Sequence, residues 1–355
     1  MSPSPVAGPN SGAGLERTAM PQLCSSLRVY WVMKSLRWLA ETARRFRRIS
    51  LPMRTPLPPC TYFLALALLV LPAAALAHHG PPGAPSGAPA GPAADSPAFN
   101  TVPELRAGFD LLYEQKFTAA RDAFSQWESA HPDQPFGETA IAASYLFEEL
   151  YRQNVLTSEF FLDEKRFLRG IDGQPDAETM KQFRAAVARA RQLSSSRQKN
   201  DPNDGEALFA LTLTAGMESD ASTILEKKHL DGLKHMKEAN KYGKQLLAEY
   251  PDTDDAYVAL GIANYVIGSL NGGERFALWF GGIHGDKKLG MEQVTKTTEN
   301  GRYLQPFAKI TLALAARREK QPTLATKLLF ELKEQYPHSA LFAAEYAKAA
   351  AHNGD

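Results

Sequence analysis

From residue 99 onward, apolar positions recur three and four apart. Leu105, Phe109, Leu112 and Tyr113 do so in one segment, and Leu208, Leu211 and Ala215 in another. That spacing lines one face of an α-helix with apolar side chains and leaves the other face polar. The segments run to 12–22 residues and are rich in Ala, Leu, Glu and Lys, and alternating β-branched runs are nearly absent. The pattern predicts amphipathic helices throughout 99–355. Turn clusters divide them at His131-Pro132-Asp133, Asn200 to Gly205, Tyr250-Pro251-Asp252 and Tyr336-Pro337-His338. Each places a proline just after a helix and an Asp or Ser able to cap the next one.

The four prolines carry an internal repeat. Twelve residues before Pro132, Pro202, Pro251 and Pro337 stand Ala120, Ala190, Ala239 and Ala325. In the first copy Phe117, Ala120, Phe124 and Pro132 are all in frame. Tyr257, Leu260 and Gly261 fit the first half of the same unit, with Tyr265 arriving one residue late. This resembles the tetratricopeptide repeat, in which small residues let two helices approach and a proline ends the hairpin. The resemblance implies an all-α solenoid of antiparallel helical hairpins, with a concave face lined by the first helix of each hairpin. The prolines are 70, 49 and 86 residues apart, whereas a regular array steps by about 34. Long helices, two insertions and one unmarked hairpin account for the difference. The expected hairpins are 101–131, 136–199, 204–250, 253–300 and 303–336, with a capping helix after 339.

The first 98 residues read differently. Residues 62–71 form a ten-residue apolar run, followed by Pro72 and by Ala75-Leu76-Ala77. The run is short for a bilayer, which needs about 20 residues. With Met53 as start, Arg54 as the positive end and cleavage after Ala77, residues 53–77 read as a secretory signal. An uncleaved anchor over 60–77 is the alternative, and only that version reaches a membrane. Residues 1–52 are then an over-extended start or a basic leader; Arg44-Arg45 and Arg47-Arg48 match a twin-arginine signal weakly. Residues 78–98 hold ten Pro and Gly in 21 positions, the composition of a tether. The reading is an exported chain, periplasmic or extracellular if bacterial, with a helical domain over 99–355.

Removing residues 1–77 leaves 31 basic and 37 acidic residues, a net of −6, which argues against a nucleic-acid partner. Both cysteines, Cys24 and Cys60, fall in the leader, so the remainder has no disulfide and no thiolate metal site. No cofactor and no metal site is expected. His229 and His235 lie on different helix faces, and Glu148-Glu149 with Arg152 reads as an exposed face with an ion pair. Asp252, Asp254 and Asp255 lack the glycine and final glutamate of a calcium loop and read as capping residues. Gly281 to Lys288 lacks phosphate-loop spacing, and Asp286 reads as a helix cap.

The insertions at 154–175 and 269–286 are the informative stretches. Both are too apolar for disorder, and each is expected to fold back into the groove of the solenoid. Alternatively the second presents Arg275, Phe276, Trp279, Phe280 and His284 as a binding surface. The expected function is non-catalytic: scaffolding of a protein or peptide partner. A carrier of an apolar small ligand is the alternative, and an enzyme with a site dispersed in sequence is third.

Overall fold

A computed structural model of the protein describes residues 101–353, except 271, 274, 276, 277 and 279–282. The signal, leader and tether assigned to 1–98 lie outside the described residues, as do Phe276, Trp279 and Phe280. Among the described residues there are helices and no strand, and no helix is long and apolar enough to cross a membrane.

The chain lays down α1 (Pro103–Tyr113), α2 (Phe117–Ala130), α3 (Pro135–Arg152), α4 (Ser158–Leu162), α5 (Glu164–Arg169) and α6 (Ala177–Gln198). It continues with α7 (Gly205–Asp220), a π-helical turn (Ala221–Leu225), α8 (His229–Glu249), α9 (Ala256–Ser269) and α10 (Lys287–Asn300). Last come α11 (Gln305–Arg318), α12 (Pro322–Gln335) and α13 (Ala340–Asn353). Packing is between neighbours. α1 pairs with α2, α3 with α6, α7 with α8, α9 with α10 and α11 with α12, and α13 covers α12. These five pairs and the final helix occupy the spans expected from the proline clusters. The arrangement is an all-helical array of packed adjacent pairs, compatible with a helical repeat.

The small residues of the repeat are where helices meet. Ala120, Ala190, Ala239 and Ala325 are buried, as are Phe117, Phe124 and Leu260. A Cβ on Gly108 would lie 2.3 Å from the Phe124 ring, so only glycine lets α1 and α2 close at this point. Gly261 and Gly290 do the same for α9 and α10: a Cβ on either would meet the other's carbonyl oxygen, at 2.8 and 2.7 Å. Tyr257 is half-buried, and Pro132, Pro202, Pro251 and Pro337 stand exposed at helix ends. Two of the four expected caps form. Asp204 accepts from the Ala207 N–H, and Ser339 Oγ from the Phe342 N–H. α3 begins without a side-chain cap.

Asp255 is turned instead toward the next hairpin. Its carboxylate accepts from the backbone N–H groups of Arg302, Tyr303 and Leu304 at 2.9–3.1 Å. Three donors on one buried carboxylate pin the turn that leads into α11. Glu149 corrects the expectation of an exposed ion-paired face. It does pair with Arg152, but its side chain is fully buried. It also accepts from the Asp176 N–H and Gln153 Nε2, which ties the start of α6 to α3. Its neighbour Glu148 pairs with Arg121.

The array closes on itself at one end. The rings of Phe109, Phe136 and Tyr303 lie 5.2–6.0 Å apart, and Phe209 joins them 5.3 Å from Phe136. These four residues come from α1, α3, the turn into α11, and α7. Tyr113 Oη donates to the Tyr303 carbonyl, and Tyr336 Oη to Asp110, both at 2.8 Å. The first pair therefore packs against the fifth. These large apolar side chains bury one another, and that cluster fills the space between the first and fifth pairs.

The first insertion folds back as expected. Phe160 is buried and packs edge to face on Phe161 and Phe167. The segment then bridges three distant helices. Ile171 N–H donates to the Ile224 carbonyl of the π-helical turn, Arg318 at the end of α11 donates to the Phe161 carbonyl, and Glu345 of α13 accepts from Ser158 N–H.

Candidate binding site

The faces of α7 are settled by what each residue touches. Met217, Ala221 and Ile224 join the core shared with α3 and α6. Thr212 lies beside Gly243 of α8, and Ser219 Oγ donates to the Gly232 carbonyl of the same helix. Glu218 points outward, to Arg191 of α6 and to His235 of α8. The stripe that remains is Phe209, Leu213, Gly216 and Asp220, spaced four, three and four apart and so on one helical face.

That stripe opens as it rises. Phe209 is fully buried, whereas Leu213, Gly216 and Asp220 are only partly so. No described residue comes within 4 Å of a Cβ built on Gly216. Phe147 of α3 and Phe307 of α11 meet edge to face at 5.6 Å and are also only partly buried. The first insertion binds the π-helical turn directly after Asp220 and the last turn of α11. Along this face of α7 the side chains pass from the buried aromatic cluster to partly exposed positions.

Asp220 is only partly buried, and among the described residues its side chain makes no hydrogen bond and no ion pair. Burial alone lifts its carboxyl from the ordinary range to about 7, because no nearby donor or cation offsets the loss of water. Farther along the chain, Glu226 pairs with Arg184 and with Lys228. The π-helical turn that follows frees backbone groups that find new partners: Ile224 O accepts from Ile171 N–H, and Ser222 O from Lys228 N–H. Such turns are frequent at functional positions.

A second polar cluster lies on the outer side. Arg191 Nη2 stands 2.7 Å from Glu218 and 2.8 Å from Glu238, with His235 Nδ1 3.6 and 3.7 Å from the same two carboxylates. The ligand atoms of Glu218, His235 and Glu238 lie within 4.8 Å of one another. The guanidinium already sits between the carboxylates and holds Glu238 below the usual carboxylate range. The cluster is a polar bridge between α6, α7 and α8, with one guanidinium held between two carboxylates. His229 starts α8 and is exposed, so the two histidines do not converge.

The predicted binding residues of the second insertion are only partly placed. Arg275 and His284 are exposed, and Ile283 between α9 and α10 is buried. Asp286 caps α10 by accepting from the Leu289 N–H, as expected. Beside it, α10, α11 and α12 form an open groove of about 670 Å³, lined by Lys287, Met291, Thr295, Leu312, Gln321 and Leu324. Sequence reasoning missed Gly216 and Asp220. The available signal was a glycine and an aspartate interrupting an otherwise apolar stripe that begins at Phe209.

Comparison with known proteins yields no match: no family model matches the chain, and no curated protein is significantly similar to it.

Proposed function

We propose that this chain is a non-catalytic binding protein built of tetratricopeptide-like hairpins, and that it carries an apolar ligand on the partly open face of α7 around Leu213 and Gly216. The supporting observation is the blind end of the inner face. Phe109, Phe136, Phe209 and Tyr303 fill it, so an extended peptide has no path along the whole face. Beyond that cluster, Leu213, Phe147 and Phe307 stay partly exposed, and a Cβ on Gly216 would meet nothing within 4 Å. A concave, mainly apolar site with one polar group is the usual form of a small-ligand pocket. Export through the signal at 53–77 belongs to the same reading and rests on the sequence pattern alone. A carrier outside the cytoplasm would shield an apolar molecule from water.

The test is titration with N-phenyl-1-naphthylamine, a neutral apolar fluorophore. Saturable binding at one site, lost when Gly216→Phe fills the space, is the expected result. No binding, or binding that Gly216→Phe leaves unchanged, would overturn the proposal.

A second reading, recognition of a protein or peptide partner, draws support from the groove between α10, α11 and α12. Its apolar floor of Met291, Leu312 and Leu324 is flanked by lysines and glutamates, an arrangement suited to a short amphipathic segment. A crosslinked partner lost on Met291→Glu, with fluorophore binding intact, would favour it.

A further inference from the structure

Among the described residues, seven side-chain nitrogen or oxygen atoms are shut off from solvent without a hydrogen-bond partner, and three of them belong to one cluster. They are Glu218 Oε2 of α7, His235 Nδ1 of α8 and Arg191 Nε of α6. A buried polar atom left unpaired calls for an explanation, and a bound ion is one. The imidazole nitrogen is the sharpest case. It faces the carboxylates of Glu218 and Glu238 at 3.6 and 3.7 Å, too far for hydrogen bonds. With the ring proton on the other nitrogen, Nδ1 turns a lone pair toward two anions. Arg191 does not resolve this. Its Nη2 stands 2.7 Å from Glu218, and its two terminal nitrogens hold both oxygens of Glu238 at 2.8 and 3.0 Å. Two carboxylates against one guanidinium still leave a negative charge beside the neutral ring.

We infer that Glu218, His235 and Glu238 bind a divalent transition-metal ion of the zinc type, through two carboxylate oxygens and His235 Nδ1. The ligand atoms of the three lie within 4.8 Å of one another. Donors bound to one zinc ion at about 2.0–2.1 Å stand roughly 3.3–3.6 Å apart. The nitrogen–oxygen separations of 3.6 and 3.7 Å are therefore nearly those of a bound set. Two helices hold it. His235 and Glu238 are one turn apart on α8, and Glu218 meets them from α7, which packs along α8. The three side chains are 22–28% exposed, so an ion can enter and water can complete its coordination. The imidazole disfavours magnesium and calcium, which take oxygen ligands. Arg191 is the competing cation: Nη2 gives up the ligand oxygens, while Nη1 keeps Glu238 Oε1. The cluster lies outside the stripe of Leu213 and Gly216, so this inference is independent of the apolar-ligand reading.

Calorimetric titration of the metal-free full-length chain with zinc chloride tests it. Saturable binding is expected, with magnesium and calcium giving none. Glu218→Gln and His235→Ala should each weaken that binding at least tenfold. The nitrogen-15 spectrum of the unmodified protein serves if a variant fails to fold, since zinc should shift the His235 Nδ1 resonance ahead of those of the other histidines. The absence of zinc binding, binding that both variants retain, or a His235 Nδ1 unmoved at saturating zinc would overturn the metal site.

Discussion

The phenol oxygen of Tyr303 accepts a hydrogen bond from the backbone N–H of Val102 at 2.8 Å, across 201 positions of sequence. One residue thereby ties the chain just before α1 to the chain just before α11. Tyr303 is fully buried, and its ring packs at a tilt against those of Phe109 and Phe136. Tyr303→Phe keeps the packing and strands one donor, so a loss of about 1 kcal/mol is expected. Tyr303→Ala also empties the aromatic cluster and should cost about 3–5 kcal/mol. Urea unfolding measures both, and amide exchange in α1 should accelerate in the alanine variant. An alanine variant as stable as the parent would show that the closure is not held by this cluster.

The hairpin plan was legible because it is local. Apolar residues at helical spacing, prolines after helices and small residues at contacts each report on their own neighbourhood. The closure was not legible, since nothing near Tyr303 says that Phe109 lies beside it. The caps show the same divide. Asp204 and Asp286 act on residues three positions away, as sequence suggests. Asp255 acts 47–49 positions away, which spacing does not reveal. The candidate site failed for a related reason. Asp220 looks like any polar residue near a helix end, and only the contacts of Glu218, Ser219 and Ala221 show that it must face inward.

Two glycines predict opposite outcomes. Gly108→Ala would drive a Cβ to 2.3 Å from the buried Phe124 ring. Relief requires moving α1 or α2, and overpacking of this kind costs about 1–3 kcal/mol. Gly216→Ala meets no described residue within 4 Å and gains the better helix former. It should stabilise by up to about 1 kcal/mol. Thermal unfolding of the two variants side by side checks both signs. A destabilised Gly216→Ala would mean that the space is filled.

Glu149 should be far more sensitive than its surface partner. Its side chain is fully buried, whereas that of Arg152 is 46% exposed. Glu149→Ala leaves the Asp176 N–H and Gln153 without their acceptor and opens a cavity beneath the start of α6. The expected cost is about 3 kcal/mol. Arg152→Ala should cost about 1 kcal/mol or less, because the carboxylate keeps its other two donors. Urea midpoints decide the ranking, and equal losses would contradict it.

Asp220 predicts a pH dependence whose sign is fixed by the direction of its shift. The carboxyl titrates at about 7 in the folded protein, above its ordinary value of 3.8. Between those values the folded state holds a proton that the unfolded chain has released. Stability therefore falls as pH rises from about 4 to about 7 and levels off above. The full effect is at most about 4 kcal/mol, reduced by the solvent that still reaches the group. The cleanest readout is the difference between the parent and Asp220→Asn, because the other shifted groups cancel. Near pH 4 the two should unfold at similar urea concentrations. By pH 8 the asparagine variant should be the more stable, by roughly 1–3 kcal/mol on the same linkage argument. A gap that stays constant from pH 4 to pH 8 would show that Asp220 is not held apart from water and charge.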